Sequence, residues 1–235
     1  FSFDRASSAT RVNKDGLIET VGSGEPRIDF LGNTKGALKL EPQRSNLISY
    51  SNDYSQSYWR KGLNTTVTNN YAISPEGKQN ATRIQMPDTT YTFLDAYFLN
   101  LQGSNLTISF YAKNNGGAAS MVTFNPIDAL ETINLTDEWV RYVVTGVGNS
   151  NVRVGIDNIS GGGDVDFLLY GFQLEVGSYD TSYIPTSGSA VTRLKPVVSS
   201  SDLSANGVIN STEGVYFIDI KFPLSTSRDA STGGF

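Results

Sequence analysis

Between residues 64 and 176, short runs of alternating apolar and polar side chains recur about every 10 to 15 residues, each run broken by Gly, Asn or Ser. A period of two gives a strand one inward and one outward face, whereas a helix needs apolar residues three and four apart. The runs are Asn64–Asn69, Ala81–Gln85, Tyr91–Leu99, Leu106–Lys113, Ser120–Phe124, Trp139–Thr145, Asn151–Asp157 and Val165–Leu174. Turn chemistry separates them at Ser74-Pro75-Glu76-Gly77, Gly116-Gly117 and Gly161-Gly162-Gly163-Asp164. The pattern predicts an all-β fold, an antiparallel β-sandwich. No stretch has a convincing amphipathic helical pattern, although residues 127–138 have room for a helical turn. In the last run, Phe167, Leu168, Leu169, Tyr170, Phe172 and Leu174 are apolar on both faces, which places that strand in the interior of the sandwich.

Four segments follow along the chain. Residues 1–44 carry a hairpin signal, two short extended runs around Lys14-Asp15-Gly16, and further extended pieces at Arg27–Phe30 and Ala37–Leu40. This unit is too small to bury a core alone, so it packs on the central module or on a partner. Residues 45–187 form the main module, and residues 188–203 read as a linker. Residues 204–235 contain Gly214-Val215-Tyr216-Phe217-Ile218-Asp219-Ile220-Lys221-Phe222, the first strand of a second β-domain. The start at Phe1 and the end at Gly234-Phe235 read as those of an internal fragment of a longer protein.

Composition narrows the chemistry. There is no His and no Cys in 235 residues. That removes Ser-His-Asp and Cys-His catalysis, thiolate metal sites and disulfides. A glycosidase would need two carboxylates facing each other across a cleft. The acids Asp95, Asp128, Glu131, Asp137, Glu138, Asp157, Asp164 and Asp166 are scattered instead, so no catalytic residue is assigned. The net charge is −5 with no basic run, which argues against a nucleic-acid partner. No apolar run approaches the roughly 20 residues of a membrane-spanning helix.

Strand alternation nominates binding residues. Tyr91, Phe93, Asp95 and Tyr97 fall on one face of their strand, with Leu94 and Ala96 on the other. Rings beside a carboxylate suit a sugar, which stacks on apolar C–H faces and donates hydroxyl hydrogen bonds. The same side chains also fit an inward, core-forming face. Tyr111, Lys113, Arg141, Arg153 and Asp157 alternate with plainly apolar partners. If their strands are neighbours, they share one solvent-facing sheet able to hold an anionic glycan through arginine. They fit equally well a solvated face with weak cross-strand charge pairs. Trp59 and Trp139 read as structural, sealing the sandwich.

Several motifs carry a family resemblance: Pro26-Arg27-Ile28-Asp29-Phe30, Leu40-Glu41-Pro42-Gln43-Arg44-Ser45-Asn46-Leu47-Ile48, Trp59-Arg60-Lys61, and Gly171 to Thr186 continued by Thr192-Arg193. Together with Arg5–Thr10, they resemble a module of bacteriophage tail-fibre, head-fibre and other virion surface proteins. That module is itself similar to jelly-roll carbohydrate-binding modules. Ile209–Tyr216 resembles the start of a concanavalin-A/laminin-G-like domain. The resemblance implies a jelly-roll fold and a location on the virion surface, outside the cell. It implies host-surface carbohydrate and other virion proteins as partners, a homotrimer, and no enzymatic activity. Related modules often hold a structural Ca²⁺, for which Asn46, Asp53 and Glu175 are the matching oxygen donors, with Gln173 where an acid is usual. A purely structural spacer, or an accessory module of a polysaccharide-degrading enzyme, fits the same motifs.

Overall fold

The computed structural model describes residues 2–89, 91–118, 120–124, 130–158 and 162–199. Among these the fold is all-β, an antiparallel jelly-roll sandwich. One compact unit spans Phe3–Val197. The boundaries expected after residues 44 and 187 fall inside it. The second unit comprises Phe1–Ser2 and Val198–Phe235, of which only Ser2 and Val198–Ser199 are described. The anticipated second β-domain at 204–235 therefore lies outside the described residues.

The strands, in chain order, are β1 (Ser2–Asp4), β2 (Ala9–Val12), β3 (Ile18–Val21), β4 (Ile28–Asp29), β5 (Ala37–Leu38), β6 (Arg44–Asn46), β7 (Arg60–Lys61), β8 (Thr66–Ile73) and β9 (Gln79–Met86). They continue as β10 (Phe93–Leu99), β11 (Asn105–Asn114), β12 (Ser120–Phe124), β13 (Leu130–Asn134), β14 (Val140–Val147), β15 (Asn151–Asp157), β16 (Val165–Val176), β17 (Val191–Arg193) and β18 (Val197–Ser199). Part of the stretch given room for a helical turn is strand β13, paired antiparallel with β12. Within the expected linker, β17 pairs with β6 and carries the buried Arg193.

Two five-stranded sheets make the sandwich. Sheet A has the order β13-β12-β15-β10-β7 and sheet B the order β14-β11-β16-β9-β8. From β9 to β16 the chain alternates between the sheets, pausing only for the β12–β13 hairpin, and this alternation defines the jelly roll. Leu94, Ala96, Val152, Val154 and Ile156 of sheet A meet Leu106, Ile108, Phe110, Phe167, Leu169, Phe172 and Leu174 of sheet B in one buried core. Trp59 is buried in the same core, edge-on to Phe172, as expected of a structural Trp.

β16 is the central strand of sheet B, and its two-faced apolarity has a specific cause. Gly171 adopts φ +67°, and the pairing with β11 shifts register there. This bulge changes the phase of alternation, because an extra residue flips every later side chain. Tyr170 lies before the bulge and points outward by ordinary alternation from the buried Leu169, while beyond it Phe172 and Leu174 return to the core. Gln173 and Glu175 then face the outer side, where the exit loop covers them. Ile184 N–H donates to Gln173 Oε1 at 2.7 Å, and Thr181 N–H donates to Glu175 Oε2 at 3.0 Å.

The N-terminal hairpin β2–β3 packs on the central sandwich, one of the placements the sequence left open. Ile18 joins Tyr170, Tyr183, Tyr111 and Trp139 in a second apolar cluster on the outer side of sheet B. Thr10 Oγ1 donates to the Tyr183 carbonyl at 2.5 Å, and Ile18 N–H to the Pro75 carbonyl at 2.8 Å. The outer face of sheet B is thereby partly capped.

Candidate functional site

The outer face of sheet A carries the candidate site. On β10, Leu94 and Ala96 are buried in the core, so Phe93, Asp95 and Tyr97 face away from it. Register places Phe93 opposite Asp157, Asp95 opposite Gly155, and Tyr97 opposite Arg153 on β15. On the other side, Arg60 of β7 is opposite Asp95. Five of the nine nominated residues thus lie together or adjacent: Phe93, Asp95, Tyr97, Arg153 and Asp157.

Gly155 makes the close approach of β10 and β15 possible. A Cβ there would lie 2.1 Å from the Leu94 carbonyl oxygen and 2.6 Å from Asp95 Cα. With no side chain opposite Asp95, the Arg153 guanidinium reaches its carboxylate diagonally, Nε to Oδ2 at 2.6 Å. Arg60 grips the same carboxylate from the other side, Nε to Oδ1 at 2.7 Å and Nη2 to Oδ2 at 3.0 Å. Its guanidinium lies 4.2 Å from the Tyr97 ring centroid and 5.3 Å from that of Phe93. The Arg153 guanidinium lies 5.1 Å from the Phe93 centroid. The result is a flat array of two rings and two guanidiniums around one carboxylate.

The roles within the array differ from those assigned by alternation alone. Asp95 is fully buried beneath its arginines, so it orients guanidiniums and does not meet sugar hydroxyls. Tyr97 is 47% exposed and the Arg60 side chain 48% exposed, and these two form the accessible surface. Asp157 lies 3.9 Å from Arg153. Its carboxyl is pushed above the usual range by burial, helped by the nearby Asp95 charge and opposed by Arg153. Arg60 was not nominated, because only its membership of a Trp-Arg-Lys motif marked it. The signal that finds it is positional, a basic residue opposite Asp95 on a short strand next to β10.

Four nominated residues lie elsewhere, among them Lys113 on β11 of sheet B. Tyr91 precedes β10 at φ +65°, so strand alternation does not set its direction, although it is 75% exposed. Tyr111 and Arg141 are opposite each other on β11 and β14 of sheet B, not on the sheet that carries Arg153 and Asp157. There Arg141 donates to the Thr181 carbonyl at 2.6 Å and pairs with Asp180 at 3.0 Å, while Tyr111 packs against Tyr170. Both hold the exit loop and the cap. The single shared sheet that would have joined all five residues is two sheets.

The calcium candidates are engaged by protein donors. Asn46 Oδ1 accepts from Ile48 N–H and Leu174 N–H, and its amide donates to the Phe172 and Ile184 carbonyls. Asp53 accepts from Ser55, Gln56 and Asn69, and Glu175 from Thr181. Among the described residues no three acidic side chains cluster as metal ligands. A groove of about 650 Å³ lies away from the array, lined by Gln85, Asp164, Asp166 and the backbone of Gly116 and Gly117. Its Asp166 is already held by Arg83, Asn115 and Gln85.

Four motif residues of the resemblance, Arg27, Glu41, Ser182 and Arg193, assemble at a different place, inside the molecule. Glu41 accepts from Arg27 Nη1 at 2.7 Å, from Ser182 N–H at 2.9 Å and from Ser182 Oγ at 2.6 Å, and lies 3.1 Å from Arg193 Nη1. Arg193 Nη2 donates to the Pro42 carbonyl at 2.8 Å, and Arg27 Nη1 to the Thr10 carbonyl at 3.2 Å. Burial alone would raise the Glu41 carboxyl, but Arg193, Lys39, Arg27 and the Ser182 hydrogen bond together hold it down at about 2.

No family model matches this chain, and no curated protein matches it. Among solved structures it is similar to the CBM22-1 xylan-binding domain of Paenibacillus barcinonensis Xyn10C, at 14% identity and TM-score 0.34 over 56% of this chain and 92% of that one. It is similar to a family 29 carbohydrate-binding module, CBM29-2, at 16% identity and TM-score 0.39 over 57% and 91%. It is also similar to the enzymatically active domain of bacteriophage CBA120 tailspike protein 4, at 14% identity and TM-score 0.38 over 55% and 21%. The fold assignment rests on the strand pairing above, and the site on its own residues.

Proposed function

We propose that this chain is a non-catalytic carbohydrate-binding protein whose recognition surface is the outer face of sheet A. The observation that carries the reading is the array of Tyr97, Phe93, Arg60 and Arg153 fixed around Asp95, exposed where sheet B is capped. Tyr97 supplies an apolar surface for sugar C–H groups, Phe93 supports the two guanidiniums, and Arg60 supplies donors to hydroxyl and ring oxygens. Contacts of this kind are weak singly. We further propose that the protein serves on a virion surface as an attachment or fibre segment, where a trimer would multiply weak binding through avidity. Other virion proteins are then its structural partners. The motif resemblance supports this part of the reading.

The test is a glycan array probed with the protein, followed by titration of any hit against Tyr97→Ala. Binding that falls about tenfold in Tyr97→Ala is the expected result. Absence of binding to any glycan at about millimolar concentration would sink the recognition claim. One observation favours a second reading, a structural spacer. Ile28, Leu31, Leu38 and Leu40 of the N-terminal segment are 37%, 65%, 44% and 56% exposed, an apolar group suited to docking.

A further inference from the structure

Resting on the carbohydrate reading of sheet A, we infer that its ligand carries a sugar carboxylate, which Arg60 receives on the edge of its guanidinium that Asp95 leaves open. A guanidinium has five N–H donors and two edges able to grip a carboxylate bidentately. Asp95 takes the inner edge through Nε and Nη2. The outer edge, Nη1 with the second Nη2 hydrogen, belongs to a side chain that is 48% exposed.

Three features hold that edge ready. The Asp95 fork fixes the guanidinium plane, and Asp95 is itself immobilised by Arg153 at 2.6 Å. The Tyr97 ring, 4.2 Å away, lies against the guanidinium and helps to fix its plane. A sugar whose carboxylate met the outer edge of Arg60 would therefore lie next to the exposed Tyr97 ring. Arg60 and Arg153 are matched on this face by Asp95 and Asp157, so the preference rests on the presented edge of Arg60 and not on an excess of charge. The whole chain carries −5, so a preference for an acidic ligand has to arise locally and not from general attraction of polyanions.

Asp95 is the positioning residue in this scheme and Arg60 the contacting one. Sugar carboxylates come from uronic acids and from sialic acids, and the probes separate the two. Isothermal titration compares an oligogalacturonate and a sialylated oligosaccharide, each with its methyl ester, which keeps the sugar and removes the charge. The expected result is that one or both acids bind about fivefold more tightly than their esters at physiological salt, with the preference shrinking as salt rises. Arg60→Gln lowers affinity for the acid about fivefold more than for the ester and brings their ratio to about one. Arg60→Lys keeps the charge without the fork, and the ratio falls to about two. Arg83→Gln on sheet B, where an arginine also stacks on a tyrosine and pairs with an aspartate, leaves the ratio unchanged.

Equal binding of acid and ester overturns the inference while the carbohydrate reading stands. A preference that survives Arg60→Gln overturns it as well. If no acid, ester or neutral glycan binds at all, both the inference and the reading beneath it fail.

Discussion

Two carboxylates in this molecule are each held between two arginines, and their surroundings give them opposite tasks. Glu41 lies between Arg27 and Arg193, whose side chains are both fully buried. Backbone carbonyls of Thr10 and Pro42 and the Ser182 hydroxyl complete the shell. Asp95 lies between Arg60 and Arg153, but its outer shell is two aromatic rings and solvent. In the first case the charges are locked away from any ligand and join four chain segments: the hairpin side, the Glu41-Pro42 turn, the exit loop and β17. In the second the carboxylate is hidden and the guanidiniums are presented. A carboxylate with two arginines is therefore not a site by itself. Whether the donors left over face backbone or water decides what it does.

The largest expected break in this comparison is Glu41→Gln. Removing the buried anion leaves Arg27 and Arg193 facing each other with no countercharge, at a cost of about 3 to 5 kcal/mol. Urea unfolding measures it, and a loss below about 1 kcal/mol would place Glu41 outside the structural centre of the fold. The acid limb sharpens the same point. A carboxyl whose folded pKa lies below its unfolded value contributes stability above that unfolded value and loses it as pH falls. With Glu41 held at about 2 against an ordinary 4.5, roughly 3 kcal/mol should disappear between about pH 5 and pH 2. Wild-type protein should show that decline, and Glu41→Gln should lack this part of it.

Gly171→Ala comes next, at about 1 to 2 kcal/mol, because the bulge at φ +67° is strained for any side chain. Asp95→Asn should cost a similar ~1 to 2 kcal/mol, less than Glu41→Gln, since the half-exposed Arg60 can rehydrate. It should cost more in binding than in stability, because both guanidiniums lose their orientation. Tyr97→Ala has the smallest structural effect, within about 0.5 kcal/mol in thermal or urea unfolding, combined with the tenfold binding loss given above. A variant pattern in which Asp95 and Glu41 substitutions behave alike would erase the distinction between the two regions.

Much of the sandwich was legible in the sequence because alternation is a local property. Asn151 to Asp157 read correctly residue by residue, and in Leu106 to Lys113 the inward set did, whereas Thr107 and Ser109 of its outward set are buried. The pairing of strands was not legible. Arg141 and Arg153 have the same local pattern, and only the order of strands puts them on different sheets. Residue 91 lies before the strand proper, at a positive φ that no periodicity announces. The motif around Glu41 and the segment Gly171 to Thr186 were legible as a signature but not as a network, because Arg27, Glu41, Ser182 and Arg193 are far apart in sequence. Arg60 was hidden for the same reason, its partner Asp95 lying on another strand.

The most direct test is a backbone and side-chain NMR titration of the protein with a glycan selected from the array. The account predicts perturbations concentrated at Arg60, Phe93, Tyr97, Arg153 and their strand neighbours, with Glu41, Arg27 and Arg193 unmoved. Perturbations centred on sheet B around Tyr71 and Arg83, or on the exit loop, would contradict it.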